Sequence, residues 1–478
     1  MASHPAGGPD HLSDPGPASG EAGGPDRGAR PAAETWTAGS WRRLPAAQQP
    51  AWPDEESLKR AGSTLATLPP LVIASETRQL TASLAAVARG EAFLLQAGDC
   101  AESFREFGAD QIRDKLKVML QMAVTLTYAA GVPVVKVGRI AGQFAKPRTS
   151  AFDRMGDIEL EAFRGHMVND EAFDPQARRP DPTRLVSAYH QAAATLNLLR
   201  AFTKGGFADR SHVHGWNQQF VASSAEGRRY ERIASEIDRA LRFMAACGID
   251  LQAEEGLHQT DFWTSHEALI LHYEEALTRQ DSLTGDWVDT SGHLLWVGER
   301  TRQLGGAHVE FLSGVINPVA VKLGPSATPD EVGELCNRLD PDRTPGRLTL
   351  ITRMGAGNVS GTLPGLIESA REGGHPVVWA CDPMHGNTFT SEDGHKTRRF
   401  GDIVAELREW FGVHRSMGSW PGGVHVELTG DDVTECLGGA EEIGEADLSQ
   451  RYTTTCDPRL NARQSLDLAF DVAELLRS

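Results

Sequence analysis

Eight short apolar runs recur along the chain, and most are followed, often after a loop, by a segment with helical spacing. They are AFLLQAGDC, VPVVKVGR, IDLQAEE, HLLWVGER, NPVAVKLG, LTLITRMG, PVVWACDPMH and GGVHVELTG. Continuous Val/Ile/Leu runs, rather than strict alternation, mark parallel strands buried on both faces. Eight strand-helix units predict an α/β fold, a (β/α)8 TIM barrel, whose active site is built where the strands end. The polar residues at these ends are Cys100, Arg139, Glu299, Arg300, Lys322, Arg353, His385 and Glu427.

Helical spacing is clearest in residues 111–130, where Ile112, Leu116, Met119, Leu120 and Ala123 share a face before Gly131 and Pro133 stop the helix. HEALILHYEEAL, DEVGELCNRL, LPGLIESARE, DIVAELREWF and RQSLDLAFDVAELL show the same periodicity. Residues 1–35 are Gly/Pro-rich and almost without large aliphatic side chains, which predicts a disordered tail. Residues 36–90 read as an N-terminal extension with helical patches, the second ended by Gly90, and 91–478 as the barrel. A long excursion after the second strand, 141–248, is too large for a simple crossover. It ends in an amphipathic helix carrying Tyr230, Ile233, Ile237, Leu241 and Met244, and its size suggests a helical insertion serving assembly or regulation.

Barrel closure brings the first strand beside the eighth. Cys100, His385, Glu427 and Asp457, the last in TTCDPRLN, then combine one thiolate, one imidazole and two carboxylates. That mixed set suits a divalent transition ion such as Mn, Co, Fe or Zn better than Mg or Ca. Taken singly, each residue is more often a buried thiol, a structural histidine or a solvated acid. His212, His214 and His258 lie away from the strand ends and read as structural.

Cations crowd the same end: Arg139 and Lys146 in VGRIAGQFAKPR, Arg300 in VGERTRQ, Lys322 in VAVKLGP, Arg353 in LITRMG, and Lys396 with Arg398 in HKTRRF. A cation at the end of a buried strand is costly unless it is paired or faces a ligand. The set exceeds what one phosphate needs and suits two anionic substrates, or one phosphate with one carboxylate. Glu299 beside Arg300 is placed to orient that cation or to hold a catalytic water. Lys396 and Arg398, in a loop, read more readily as ion pairs with nearby acids. The Gly-rich stretches RMGAGN and RQLGGAH match neither a P-loop nor a complete dinucleotide fingerprint.

Composition narrows the classes further. Hydrophobic residues at 40% and charged residues at 23% are ordinary for a globular protein, and a net charge of -18 opposes nucleic-acid binding. No apolar stretch is long enough to cross a bilayer and no secretory signal is visible, so no membrane role is expected. Six scattered cysteines (Cys100, Cys247, Cys336, Cys381, Cys436, Cys456) are no disulfide framework and fit a reducing cytoplasm.

From PAAQQPAWP onward the chain resembles the type II 3-deoxy-D-arabino-heptulosonate 7-phosphate (DAHP) synthases. The motifs are LLQAGDCAESF, KVGRIAGQFAKPR, WVGERTRQ, VKLGP, RMG, CDPMHGNT, KTRRF, GGVHVELTG, VTECLGGA and RYTTTCDPRLN. The resemblance implies a transferase that condenses phosphoenolpyruvate with erythrose 4-phosphate, the first step of the shikimate pathway. It implies Cys100, His385, Glu427 and Asp457 as ligands of a divalent metal, Mn2+ foremost or Co2+. It assigns phosphoenolpyruvate to Arg139, Glu299, Arg300, Lys322 and Arg353, with Lys146 and Lys396 near the substrates. It also implies a homo-oligomer, dimer or tetramer, with aromatic amino acids as effectors and chorismate mutase as a partner in some members. NTFTSEDGHKTRRF departs from the family pattern beside the expected aldose site. A sister activity, an aminoDAHP synthase using an imino-sugar phosphate, carries the same motifs. A non-catalytic regulatory barrel is the reading from another class. Because Cys456 adjoins Asp457, a disulfide between Cys100 and Cys456 that expels the metal is a further expectation.

Overall fold

The computed structural model describes residues 35–205 and 260–478, with isolated positions between them. The tail before residue 35, most of the helix expected over 230–244, and His212, His214 and His258 lie outside the described residues. Eight strands form a closed barrel: β1 Phe93–Gly98, β2 Val134–Arg139, β3 Trp263–Glu267, β4 Leu294–Val297, β5 Val319–Leu323, β6 Leu348–Thr352, β7 Val378–Cys381 and β8 Gly423–Glu427. Each pairs in parallel with its neighbours in sequence order, and β1 closes on β8. The strands are buried almost throughout, which explains their apolar runs.

One strand departs from the expectation. The third position is taken by Trp263–Glu267, not by IDLQAEE, which lies outside the described residues. The sequence WTSHE hides a strand because its polar side chains are buried, and Ser265 and His266 find partners inside. Ser265 Oγ donates to the Gly138 carbonyl at 3.1 Å and accepts from Gln96 Nε2 at 2.9 Å. His266 Nε2 lies 3.1 Å from Glu274 Oε1, and Ser291 Oγ donates to the same carboxylate at 2.7 Å. The helix expected from His266 therefore starts later, at Leu271–Leu277.

The crossover helices Pro329–Leu339, Val359–Glu372 and Phe400–Ser416 and the terminal helix Ala462–Arg477 occur where the periodicity places them. Helix Ala109–Ala130 buries Ile112, Leu116, Met119, Leu120 and Ala123 and stops at Gly131, whose φ of 66° only glycine adopts without cost. In the N-terminal segment, helix Glu55–Thr67 is capped by Asp54, whose side chain accepts from the Ser57 N–H. The next helix, Ala74–Ala88, plugs the barrel end opposite the site: Leu80, Leu84 and Val87 join Leu94, Val137, Trp296 and Ile351 in one core cluster. Between β2 and β3 the described residues form a hairpin, Phe152–Met155 with Ile158–Glu161, and a helix, Thr183–Lys204. That helix packs Leu185, Tyr189 and Leu196 with Ala61 and Leu65 of the N-terminal segment.

Candidate active site

The C-terminal ends of the strands surround a cavity of about 240 Å3. Its wall includes Cys100, Arg139, Lys146, Glu299, Arg300, Lys322, Arg353, His385, Lys396 and Asp457, so every expected site residue but Glu427 lines it. Glu427, fully buried, lies just behind. Register explains the convergence: Glu427 ends β8 opposite Gly98 of β1, and Gly98 pairs on its other side with Arg139 of β2.

His385, Glu427 and Asp457 offer ligand atoms within 4.8 Å of one another. His385 Nε2 lies 3.1 Å from Glu427 Oε1 and 3.9 Å from Asp457 Oδ2. Cys100 stands beside them, its sulfur accepting the Asp457 N–H at 3.2 Å. The Lys146 ammonium is 2.5 Å from Asp457 Oδ2 and 3.4 Å from Glu427 Oε1. Burial acts to raise both carboxyls, but His385, Lys146 and Arg398 outweigh it and hold both well below the usual carboxylate range. Burial also acts to raise the Cys100 thiol. The hydrogen bond from Cys456 and the charge of Lys146 overcome it and bring the thiol down to about 7.

This donor set fits a divalent metal. The acids are ionised, the thiol is close to thiolate, and His385 is placed as a ligand. Asp382 Oδ2 lies 2.7 Å from His385 Nδ1 and Glu427 Oε1 lies 3.1 Å from Nε2, so a metal on Nε2 would leave the proton on Nδ1, held by Asp382. Asp382, buried at the end of β7, is missed by a reading that looks only for ligands; its place two residues before Met384 in CDPMH is the available signal.

The cations divide into two kinds. Arg139 is locked: its guanidinium donates to Glu427 Oε1 at 2.8 Å and to the Asp99 carbonyl at 2.9 Å, contacts His425, and stacks 5.2 Å from the Trp296 ring. Lys322 pairs with Asp382 at 2.6 Å; burial, helped by Arg139, pushes its ammonium down to about 8. Arg353 donates one nitrogen to the His385 carbonyl at 3.0 Å, while its buried Nε has no protein partner. Arg300 is exposed and donates to Thr149 Oγ1 at 2.6 Å. Lys396 is half exposed, 3.4 Å from Asp457 Oδ1.

Two expectations change. Glu299 does not hold Arg300. It pairs with Arg302 through two 3.0 Å contacts and accepts from the Gly324 N–H at 2.6 Å, so its oxygens are committed to shaping the turn after β5. Arg398 forms an ion pair as expected, but from a short strand, Lys396–Arg398, rather than a loop: it is fully buried, 2.9 Å from Glu427 Oε2, and serves as the counter-charge of an expected ligand. A further acid also faces the cavity: Glu267 ends β3, its Oε1 has no protein partner, and burial raises its carboxyl. It was missed with its strand.

Comparison with known proteins gives the family. The chain is 58% identical over 438 residues to the phospho-2-dehydro-3-deoxyheptonate aldolase of Streptomyces coelicolor, an alignment covering 92% of this chain and 97% of that protein. It is 52% identical over 438 residues to the phospho-2-dehydro-3-deoxyheptonate aldolase AroG of Mycolicibacterium smegmatis, covering 91% and 93%. The class-II DAHP synthetase family pattern matches residues 36–473, nearly all of the barrel and the segment before it, and the chain belongs to that family.

Proposed function

We propose that the cavity joins phosphoenolpyruvate to erythrose 4-phosphate and water, giving DAHP and inorganic phosphate. Family membership carries the reaction class; the pairing of an acid-thiol-imidazole cluster with a wall of cations supports the residue roles. Arg139, Lys322, Arg353 and Arg300 receive the phosphate and carboxylate of phosphoenolpyruvate. The free Nε of Arg353 and the exposed Arg300 are the groups with donors to spare. Arg139 and Lys322 are held by Glu427 and Asp382, so they meet the ligand with little reorganisation.

A divalent metal, Mn2+ in our reading, bound by Cys100, His385, Glu427 and Asp457 would supply Lewis acidity at the aldehyde oxygen of erythrose 4-phosphate. Lys146 lies beside the same carboxylates and is placed to donate to that oxygen as charge develops. C3 of phosphoenolpyruvate forms the new carbon-carbon bond with the aldehyde carbon. Water then adds at C2, and the C2–O bond to phosphate breaks. Glu267, rather than Glu299, is the acid with an uncommitted oxygen to take the proton of that water. Self-association is supported by the exposed Phe152, Met155 and Ile158 of the hairpin, and light scattering tests it.

The test is phosphoenolpyruvate consumption by chelator-stripped protein, with and without added Mn2+, given erythrose 4-phosphate or its imino analogue. Metal-dependent consumption with DAHP formed supports the reading. Turnover of the imino-sugar phosphate alone moves the protein to the aminoDAHP activity, and no turnover with metal bound overturns catalysis.

A further inference from the structure

Two adjacent glutamines before helix Glu55–Thr67 reach two segments near the cavity, the loop after β2 that lines it and the turn after β3. Gln48 Nε2 donates to the Arg148 carbonyl at 3.1 Å, and its Oε1 accepts the Arg148 N–H at 2.9 Å. Gln49 Nε2 donates to the Leu269 carbonyl at 2.6 Å, and its Oε1 accepts the Leu271 N–H at 3.2 Å. Each side-chain amide thus pairs with main chain as a strand would. One holds the loop after β2, the other the turn that follows Glu267 of β3. Gln48 has φ 62°, a left-handed conformation that a residue with a Cβ adopts at a cost.

The loop that Gln48 grips matters to the chemistry. Its first residue, Lys146, places its ammonium between Asp457 and Glu427. Thr149, next to the gripped residue, accepts the 2.6 Å hydrogen bond from Arg300. Pro147, Arg148, Thr149 and Ser150 all line the cavity. Among the described residues, the main chain of 147–150 makes no backbone-backbone hydrogen bond, so the Gln48 amide stands in for a missing strand partner.

We infer that Gln48 is a positioning residue for phosphoenolpyruvate binding: it fixes the loop 146–150 and, through Thr149, sets the direction of Arg300. This rests on Arg300 contacting phosphoenolpyruvate.

The test uses Gln48→Gly in the full-length, Mn2+-loaded enzyme. Glycine removes the clasp and also relieves the backbone cost, so stability and positioning separate. The expected result is a KM for phosphoenolpyruvate raised roughly tenfold, kcat changed by less than about twofold, and a thermal midpoint close to wild type. Gln48→Glu, which keeps the acceptor but sets a carboxylate against the Arg148 carbonyl, should raise KM at least as much. Arg300→Ala is the control. An unchanged KM in Gln48→Gly while Arg300→Ala raises it overturns the inference. A parallel fall of kcat and midpoint also overturns it, because the role is then only structural. If neither variant moves KM, the assignment of Arg300 fails, and the inference with it.

Discussion

The Asp382 carboxylate oxygen Oδ2 lies 2.7 Å from Nδ1 of His385 and 2.6 Å from Nζ of Lys322. One buried acid therefore holds the Nδ1 of an expected metal ligand and neutralises an expected substrate cation. Its other oxygen accepts the backbone N–H groups of Met384 and His385 at 3.0 and 3.2 Å, so the turn carrying the ligand is fixed too. Asp382→Ala is predicted to weaken metal binding by roughly 10- to 100-fold, the usual cost of losing a partner of a metal-bound histidine. Competition against a chelator measures it, and an unchanged affinity would refute the arrangement.

Arg398 pairs with Glu427 at 2.9 Å, fully buried and not itself lining the cavity. Arg398→Met would leave a fully buried carboxylate short of one counter-charge. Denaturant unfolding of the metal-free protein should show a loss of about 3 kcal/mol or more. Added Mn2+ should restore part of that loss, since it would supply positive charge at the same acid.

Acid should destabilise the fold through buried neutral histidines. Burial pushes His308 down to about 4 and His414 down to about 3, against about 6.5 when unfolded. The folded values are the lower ones, so their stability is intact above pH 6.5 and is lost as pH falls towards the folded values. Each should cost about 2 kcal/mol between pH 7 and pH 5. His414→Asn should lose correspondingly less stability than wild type over that interval in urea melts; an equal loss would exclude His414 as a contributor.

Cys100 and Cys456 share one buried cluster with Phe163, which brings two thiols together at the site. Hydrogen peroxide is predicted to join them in metal-free protein: the thiols give up two protons and two electrons, and the peroxide becomes two waters. Peptide mapping should find the linked pair, bound Mn2+ should slow its formation, and oxidised protein should fail to bind metal. Absence of the linked peptide would end the idea.

Much of this was legible in the sequence because strand ends carry their chemistry in fixed places. Seven of the eight barrel strands appear as Val/Ile/Leu runs, and their terminal Arg139, Lys322, Arg353 and Glu427 are found where closure requires them. The third strand escaped because hydropathy cannot distinguish a polar residue in water from one satisfied inside. Ser265 and His266 are polar by composition and buried by partnership. Glu267 was lost with that strand. Arg398 does form the ion pair expected of it, but in a short strand rather than a loop, and with Glu427, an expected metal ligand, in the interior. Gln48 lies in PAAQQPAWP, but its clasp leaves no pattern in the sequence, since it follows from a backbone angle and a partner a hundred residues away.

If Cys100, His385, Glu427 and Asp457 form one metal site, cobalt should report all four ligands together. Chelator-stripped protein titrated with Co2+ should develop a near-ultraviolet thiolate-to-cobalt charge-transfer band that saturates at one equivalent and disappears in Cys100→Ser. Cobalt binding with no such band, or a band that survives the Cys100→Ser substitution, would mean that Cys100 is not a ligand.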